Sequence, residues 1–243
     1  MGDQVLMSVI HLGQYPTQAV LGYFFGVSQR SVSRILGGVL PVLEADGRDR
    51  MRLADPGRTR RRHLDELLEA LPERMVVIDS FEQKVQRPQD SAAQQAWYSG
   101  KKKTHTIKGQ PAVDEDIGEI VDVSDRVPGP QADLKLLDAS GLMNRLPDGV
   151  AGMGDSGYQG LDKLPPRRHS PRKKRRGNAR PDDDVAYNTA FSRRRIIVEN
   201  TNARLRCYQC LTQTDRYHRQ NHSQRVRAVA GLVNRQIRSR LIA

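Results

Sequence analysis

The chain has 243 residues, 40 Lys and Arg against 28 Asp and Glu, a formal charge of +12, and 37% hydrophobic residues of which few are aromatic. That is enough apolar material for a folded core, and the positive excess points to a polyanionic partner, since Lys and Arg release counterions from a phosphate backbone on binding. No apolar run approaches the ~18 residues of a membrane span and no signal peptide precedes the first elements, so the expectation is a cytoplasmic, nucleoid-associated protein with no membrane partner.

The first recognisable unit is a helix-turn-helix over residues 16–36, within an expected DNA-binding domain of residues 1–45. Thr17 caps a first helix with Val20, Leu21 and Phe24 or Phe25 on one face, Gly26 supplies the permissive turn, and Ser28 caps a second helix. Gly22 is small where the two helices cross. Val32, Ile35 and Leu36 face inward, leaving Ser28, Gln29, Arg30, Ser31, Ser33 and Arg34 for base edges or phosphates. A supporting first helix has room only over residues 4–12. Residues 46–70, with Asp46-Gly47-Arg48, Pro56-Gly57 and the run Arg58 to Arg62, read as a basic linker.

A larger α/β domain is expected over residues 71–243. Val76 to Ile78 is β-branched and apolar, the pattern of a buried central strand, and it ends at Asp79. Residues 103–113 and 119–123 alternate as a hairpin turning at Asp114 to Gly118. A helix around residues 132–139 can bury Leu134, Leu136 and Leu137, and a short strand leads into Asp155. Arg167 to Arg176 reads as an exposed basic loop, with Arg172, Lys173 and Lys174 able to hold phosphates. A helical stretch carries Arg195 and Glu199, and residues 223–241 close the chain as an amphipathic helix. Cys207 and Cys210 form a Cys-x-x-Cys with His218 and His222 downstream, but only 7 residues separate Cys210 from His218, which is short for a zinc finger; reduced cysteines near a helix end are the better reading.

Three acids remain to be explained: Asp79 at a strand end, Asp155 in Gly154-Asp155-Ser156-Gly157-Tyr158, and Glu199 on a helix. Singly, each fits a turn, a cap or a surface pair. Together they can supply an all-oxygen site for Mg²⁺ or Mn²⁺. With the basic hairpin Tyr98 to Thr106, the string Asp155 to Gly160, and Arg195 to Glu199, they occur in an order that resembles the DDE transposases of bacterial insertion sequences, in the group related to eukaryotic Harbinger elements. The separations, 76 positions from Asp79 to Asp155 and 44 from Asp155 to Glu199, suit a chain without a large inserted domain.

The resemblance implies an RNase H-like mixed sheet flanked by helices and preceded by a small all-α helix-turn-helix domain. It also implies that Asp79, Asp155 and Glu199 are catalytic and hold two Mg²⁺ or Mn²⁺ ions for in-line displacement at phosphorus on double-stranded DNA, at element ends and target, in a homodimer. Lys101, Lys102, Lys103 and His105 resemble the family's basic hairpin and are expected to guide DNA, as are Arg195 and Arg206. The chain departs from a related signature at Ser192, where a Tyr would stand, and at Ala132, where relatives have His before the Asp. Asp133 is read as a helix-start residue rather than an accessory acid. The runner-up is a catalytically inactive, transposase-derived DNA-binding protein; a structure-selective nuclease is a third.

Overall fold

The computed structural model describes residues 2–51, 74–158, 168–172 and 181–242. Three helices come first, α1 (Gly2–Gln14), α2 (Gln18–Phe25) and α3 (Gln29–Arg50). The expected capping is present. Thr17 Oγ1 accepts from the Val20 amide at 3.3 Å and Ser28 Oγ from the Ser31 amide at 3.1 Å. Gly26 turns the chain at φ 64°. A Cβ on Gly22 would stand 2.6 Å from the Val27 carbonyl oxygen, so the two helices cross at a position that admits no side chain. Leu21 packs inward with Val32 and Leu36, and Phe25 packs against that core, whereas Phe24 points to solvent.

Helix α3 does not stop at residue 45. It runs through Pro41 and Gly47 to Arg50, so the start of the expected linker is helical, and residues 52–70 of it lie outside the described residues. Gly47, placed in the linker by the sequence, is a contact glycine: its Cβ would lie 2.5 Å from the Arg227 carbonyl oxygen of α9 (His222–Ile242). The turn before it is held by an ion pair between Arg48 and Glu44 at 2.8 Å.

The larger α/β part is built on a five-stranded sheet in the order β6 (Ile120–Val123), β5 (Pro111–Asp114), β1 (Arg74–Ile78), β8 (Val150–Gly154), β9 (Arg168–His169). The first three strands are antiparallel neighbours and the last three are parallel, which is the RNase H-like arrangement. Alternation in β1 sorts its side chains. Met75 and Val77 join a core formed with α7 (Asp182–Arg206), α9 and the N-terminal helices, while Val76 and Ile78 join Leu137 and Leu142 of α5 (Asp133–Ser140) and α6 (Leu142–Arg145) on the other face. Beyond Asp79 the β1 line resumes as β2 (Phe81–Lys84), paired with β4 (Thr104–Gly109), to which β3 (Tyr98–Ser99) and β7 (Val127–Pro128) add. The short helices α4 (Ser91–Trp97) and α8 (Gln209–Thr212) complete the described elements.

The two parts meet through polar groups as well as α3 and α9. His11 and Tyr15 of the first helical unit are buried, and the Tyr217 hydroxyl lies 2.8 Å from His11 Nε2. The Arg216 amide donates to the Tyr15 hydroxyl at 3.0 Å. Beneath them Arg225 and Asp215 form a fully buried ion pair.

Candidate active site

The parallel register of β1 and β8 pairs Ile78 with Gly154, so Asp79 and Asp155 leave adjacent strands at the same level. Parallel neighbours lie about 4.8 Å apart, which makes the two carboxylates electrostatic neighbours. Burial, together with the charge of Asp155, raises the Asp79 pKa, against the opposing pull of the Ser80 amide, Arg195 and Arg206.

The residues around Asp155 explain their own spelling. A Cβ on Gly154 would meet the Tyr158 ring at 2.6 Å, so glycine lets that ring fold under the strand end. Tyr158 is fully buried, and its hydroxyl accepts from Gln110 Nε2 at 2.8 Å. Burial raises its pKa, and so do the charges of Asp133, Asp79 and Asp155 grouped around it. The Gly157 amide donates to Asp155 Oδ1 at 2.7 Å and fixes the carboxylate.

Helix α7 faces this pair. Arg195, Glu199, Asn202 and Arg206 are spaced 4, 3 and 4 apart and form one stripe. Arg195 and Arg206 act on Asp79 through charge, but the side chain that touches it is Asn202, whose Nδ2 donates to Asp79 Oδ2 at 2.6 Å. Glu199 lies on the stripe one turn earlier and is exposed. Among the described residues no three His, Cys, Asp or Glu side chains form a ready metal cage. The structure thus brings Asp79 and Asp155 together and puts Glu199 on the facing helix. The donor set suits a divalent cation: the carboxylates are the hard oxygens that such ions take, and the buried Asn202 Oδ1 has no partner.

Asp133 belongs to this setting. It opens α5, but its Oδ1 is 2.7 Å from the ammonium of the buried Lys108 and 2.8 Å from the Ser80 hydroxyl. A cavity of about 590 Å³ adjoins it, with Lys101, Lys102, Lys108, Asn202 and Arg206 in its walls and Phe81 and Leu205 as apolar lining. Lys108, Ser80 and Asn202 were missed in the sequence because none stands in a motif. A polar residue three positions after Glu199 on the same helix was the available signal for Asn202.

The expected DNA contacts fall in three places. Ser28, Gln29, Arg30 and Arg34 are exposed at the start of α3, and Ser31 is partly covered, its hydroxyl 2.9 Å from that of Ser28. Lys101, Lys102 and Lys103 are exposed at the tip between β3 and β4, with Lys103 at φ 52°, and His105 rests edge-on against Tyr98. Arg172 is held at the start of α7, 3.1 Å from Asp184 and over the Tyr187 ring, while Lys173 and Lys174 lie outside the described residues. Of the Cys and His group, Cys210 is buried with its thiol pushed up to about 12 by desolvation, and buried His222 lies 3.0 Å from Gln83 Oε1.

Comparison with known proteins agrees with this architecture. The model for the helix-turn-helix of DDE superfamily endonucleases matches residues 1–49, and that for the DDE superfamily endonuclease matches residues 78–234. The chain is 29% identical over 234 residues to a probable transposase for insertion sequence element IS702 of Microchaete diplosiphon, covering 96% of this chain and 79% of that protein. No solved structure matches significantly. The strand-end acids, the facing helix and both matches place the chain in the DDE superfamily of endonucleases, carrying that superfamily's helix-turn-helix at its N-terminus.

Proposed function

We propose that the protein is an insertion-sequence transposase of the Harbinger-related group, which binds the ends of its element and cuts and rejoins DNA there. The observation that carries this reading is the placement of Asp79 and Asp155 on adjacent parallel strand ends, facing the α7 stripe that bears Glu199. Asp79, Asp155 and Glu199 would hold Mg²⁺ or Mn²⁺, two ions in all; such ions lower the pKa of a bound water or 3′-hydroxyl and stabilise the leaving oxygen at phosphorus. The protein's own part is positional. Asn202 orients the Asp79 carboxylate, and the Gly157 amide orients that of Asp155. Arg195, with a buried unpartnered Nε, and Arg206 hold positive charge where a scissile phosphate must sit. The basic tip at Lys101 to Lys103 and the exposed start of α3 give the duplex two further contacts, and two copies working on paired ends account for joining.

The test is incubation with labelled DNA carrying the element's terminal repeats and Mg²⁺ or Mn²⁺. Nicking or joining at the repeat ends is expected, and it disappears in Asp79→Asn, Asp155→Asn and Glu199→Gln while salt-sensitive DNA binding stays within about twofold. Binding with no cleavage by the unaltered protein would make it an inactive, transposase-derived DNA-binding protein.

A further inference from the structure

Resting on that reading, we propose that Asp133 is a fourth carboxylate of the metal centre, sharing an ion with Asp155 across the space above Gly157. Both oxygens of Asp133 have a defined place. Lys108 Nζ and the Ser80 hydroxyl donate to Oδ1 at 2.7 and 2.8 Å, whereas Oδ2 accepts no hydrogen bond from a described residue. Oδ2 is turned toward Asp155. A Cβ built on Gly157 would stand 3.0 Å from Asp133 Oδ2 and 2.9 Å from Asp155 Oδ1, so two acceptor oxygens border one small space that only glycine leaves open.

Acids side by side do not make a site, and a second observation supplies the argument. Asn202 is 5% exposed, its Nδ2 is spent on Asp79, and its Oδ1 has no partner. Asn202 lines the same cavity as Asp133 and Ser80. An unmet amide oxygen on the side chain that holds Asp79 is an acceptor that a cation would satisfy, because leaving it unmet in the interior costs a large part of its lost hydration. Lys108 fits the same picture. It is 6% exposed, bonds to Asp133 Oδ1 and the Gln131 carbonyl, and thereby fixes the rotation of the carboxylate that aims Oδ2 at Asp155. Structurally it is a positioning residue for Asp133.

The experiment is Mn²⁺ binding to the full chain without DNA, read by calorimetry and by the rise in melting temperature that Mn²⁺ produces. Asp133→Asn keeps an acceptor for Lys108 and Ser80 but removes the charge. Gly157→Ala leaves every charge in place and fills the space with a methyl group. Each is expected to weaken Mn²⁺ binding by roughly tenfold or more, with a smaller Mn²⁺-induced rise in melting temperature; in chelator Asp133→Asn melts lower, because buried Lys108 loses its counter-charge, whereas Gly157→Ala does not. Should either variant fail to fold, the other decides. Unaltered Mn²⁺ affinity in the folded variant, alongside lost affinity in Asp155→Asn, overturns the role of Asp133 and leaves the transposase reading standing. Absence of Mn²⁺ binding by the unaltered protein overturns both.

Discussion

At the scale of single residues, the site depends on side chains that hold others. Asn202→Leu removes the hydrogen bond to Asp79 Oδ2 and leaves a half-buried carboxylate without its side-chain amide donor. Cleavage is expected to fall by roughly 10–100-fold, by analogy with other groups that orient metal-binding side chains, while repeat-end binding measured by gel shift is unchanged. Histidines set the acid limit of the fold. Burial lowers His11 to about 4 and His222 to about 3, helped at His11 by Arg216 and then Arg225, and at His222 by Arg225 and then Arg126. Each is held neutral when folded, so its contribution is complete above the unfolded value of about 6.5 and is lost as pH falls toward the folded value. For His11 the loss at pH 4 is about 3 kcal/mol. His11→Gln should therefore lose less stability than the unaltered protein between pH 6.5 and 4, as read from urea midpoints; equal losses would place the titration elsewhere. The strand-end places of Asp79 and Asp155 and the helical place of Glu199 could be read from the pattern around each. Asn202 and Lys108 could not, since a lone amide or lysine declares its partner only when distant segments meet.

At the scale of elements, the sequence revealed what local chemistry dictates and misjudged what packing dictates. Thr17, Gly26 and Ser28 set the ends of α2 and α3 through their own backbone geometry, and all three could be read directly. The β1, β6 and β8 strands and the turn at Gly118 could be read, but the strand expected over residues 103–113 divides into β4 and β5 of different sheets, and only β5 pairs with β6. Gly47 was misread because a glycine serves equally as a helix end or as a crossing point, and the deciding neighbour, Arg227, is 180 positions away. Gly231 faces it: a Cβ there would lie 2.5 Å from the Gly47 Cα. Gly47→Ala or Gly231→Ala must push α3 off α9, with an expected cost of about 1–3 kcal/mol. The control is Gly37→Ala, exposed on the same helix with no neighbour near its Cβ, which should be neutral or slightly stabilising in thermal melts.

For the whole molecule, the two functional parts are joined by more than covalent continuity. Helix α3 begins at the proposed base-reading residues and ends packed on α9, and the buried Arg225–Asp215 pair with His11 and Tyr217 secures the opposite side of the helical unit. Arg225→Met leaves Asp215 buried without its cation, for an expected loss of about 3–5 kcal/mol. Separate melting of the two parts would contradict their coupling; one transition at a lower temperature is expected.

On the proposed function, an unbroken α3 also acts as a measuring rod. Its 22 residues span about 33 Å, close to the ~34–36 Å of one turn of duplex DNA. A reading head fixed to such a rod meets the groove in one phase relative to the cutting centre, and a single residue added within the helix would swing it by about 100°. Distance from bound sequence to cut position then becomes a constant of the fold, and an element end lengthened by half a turn of DNA would still be gripped but would no longer be cut.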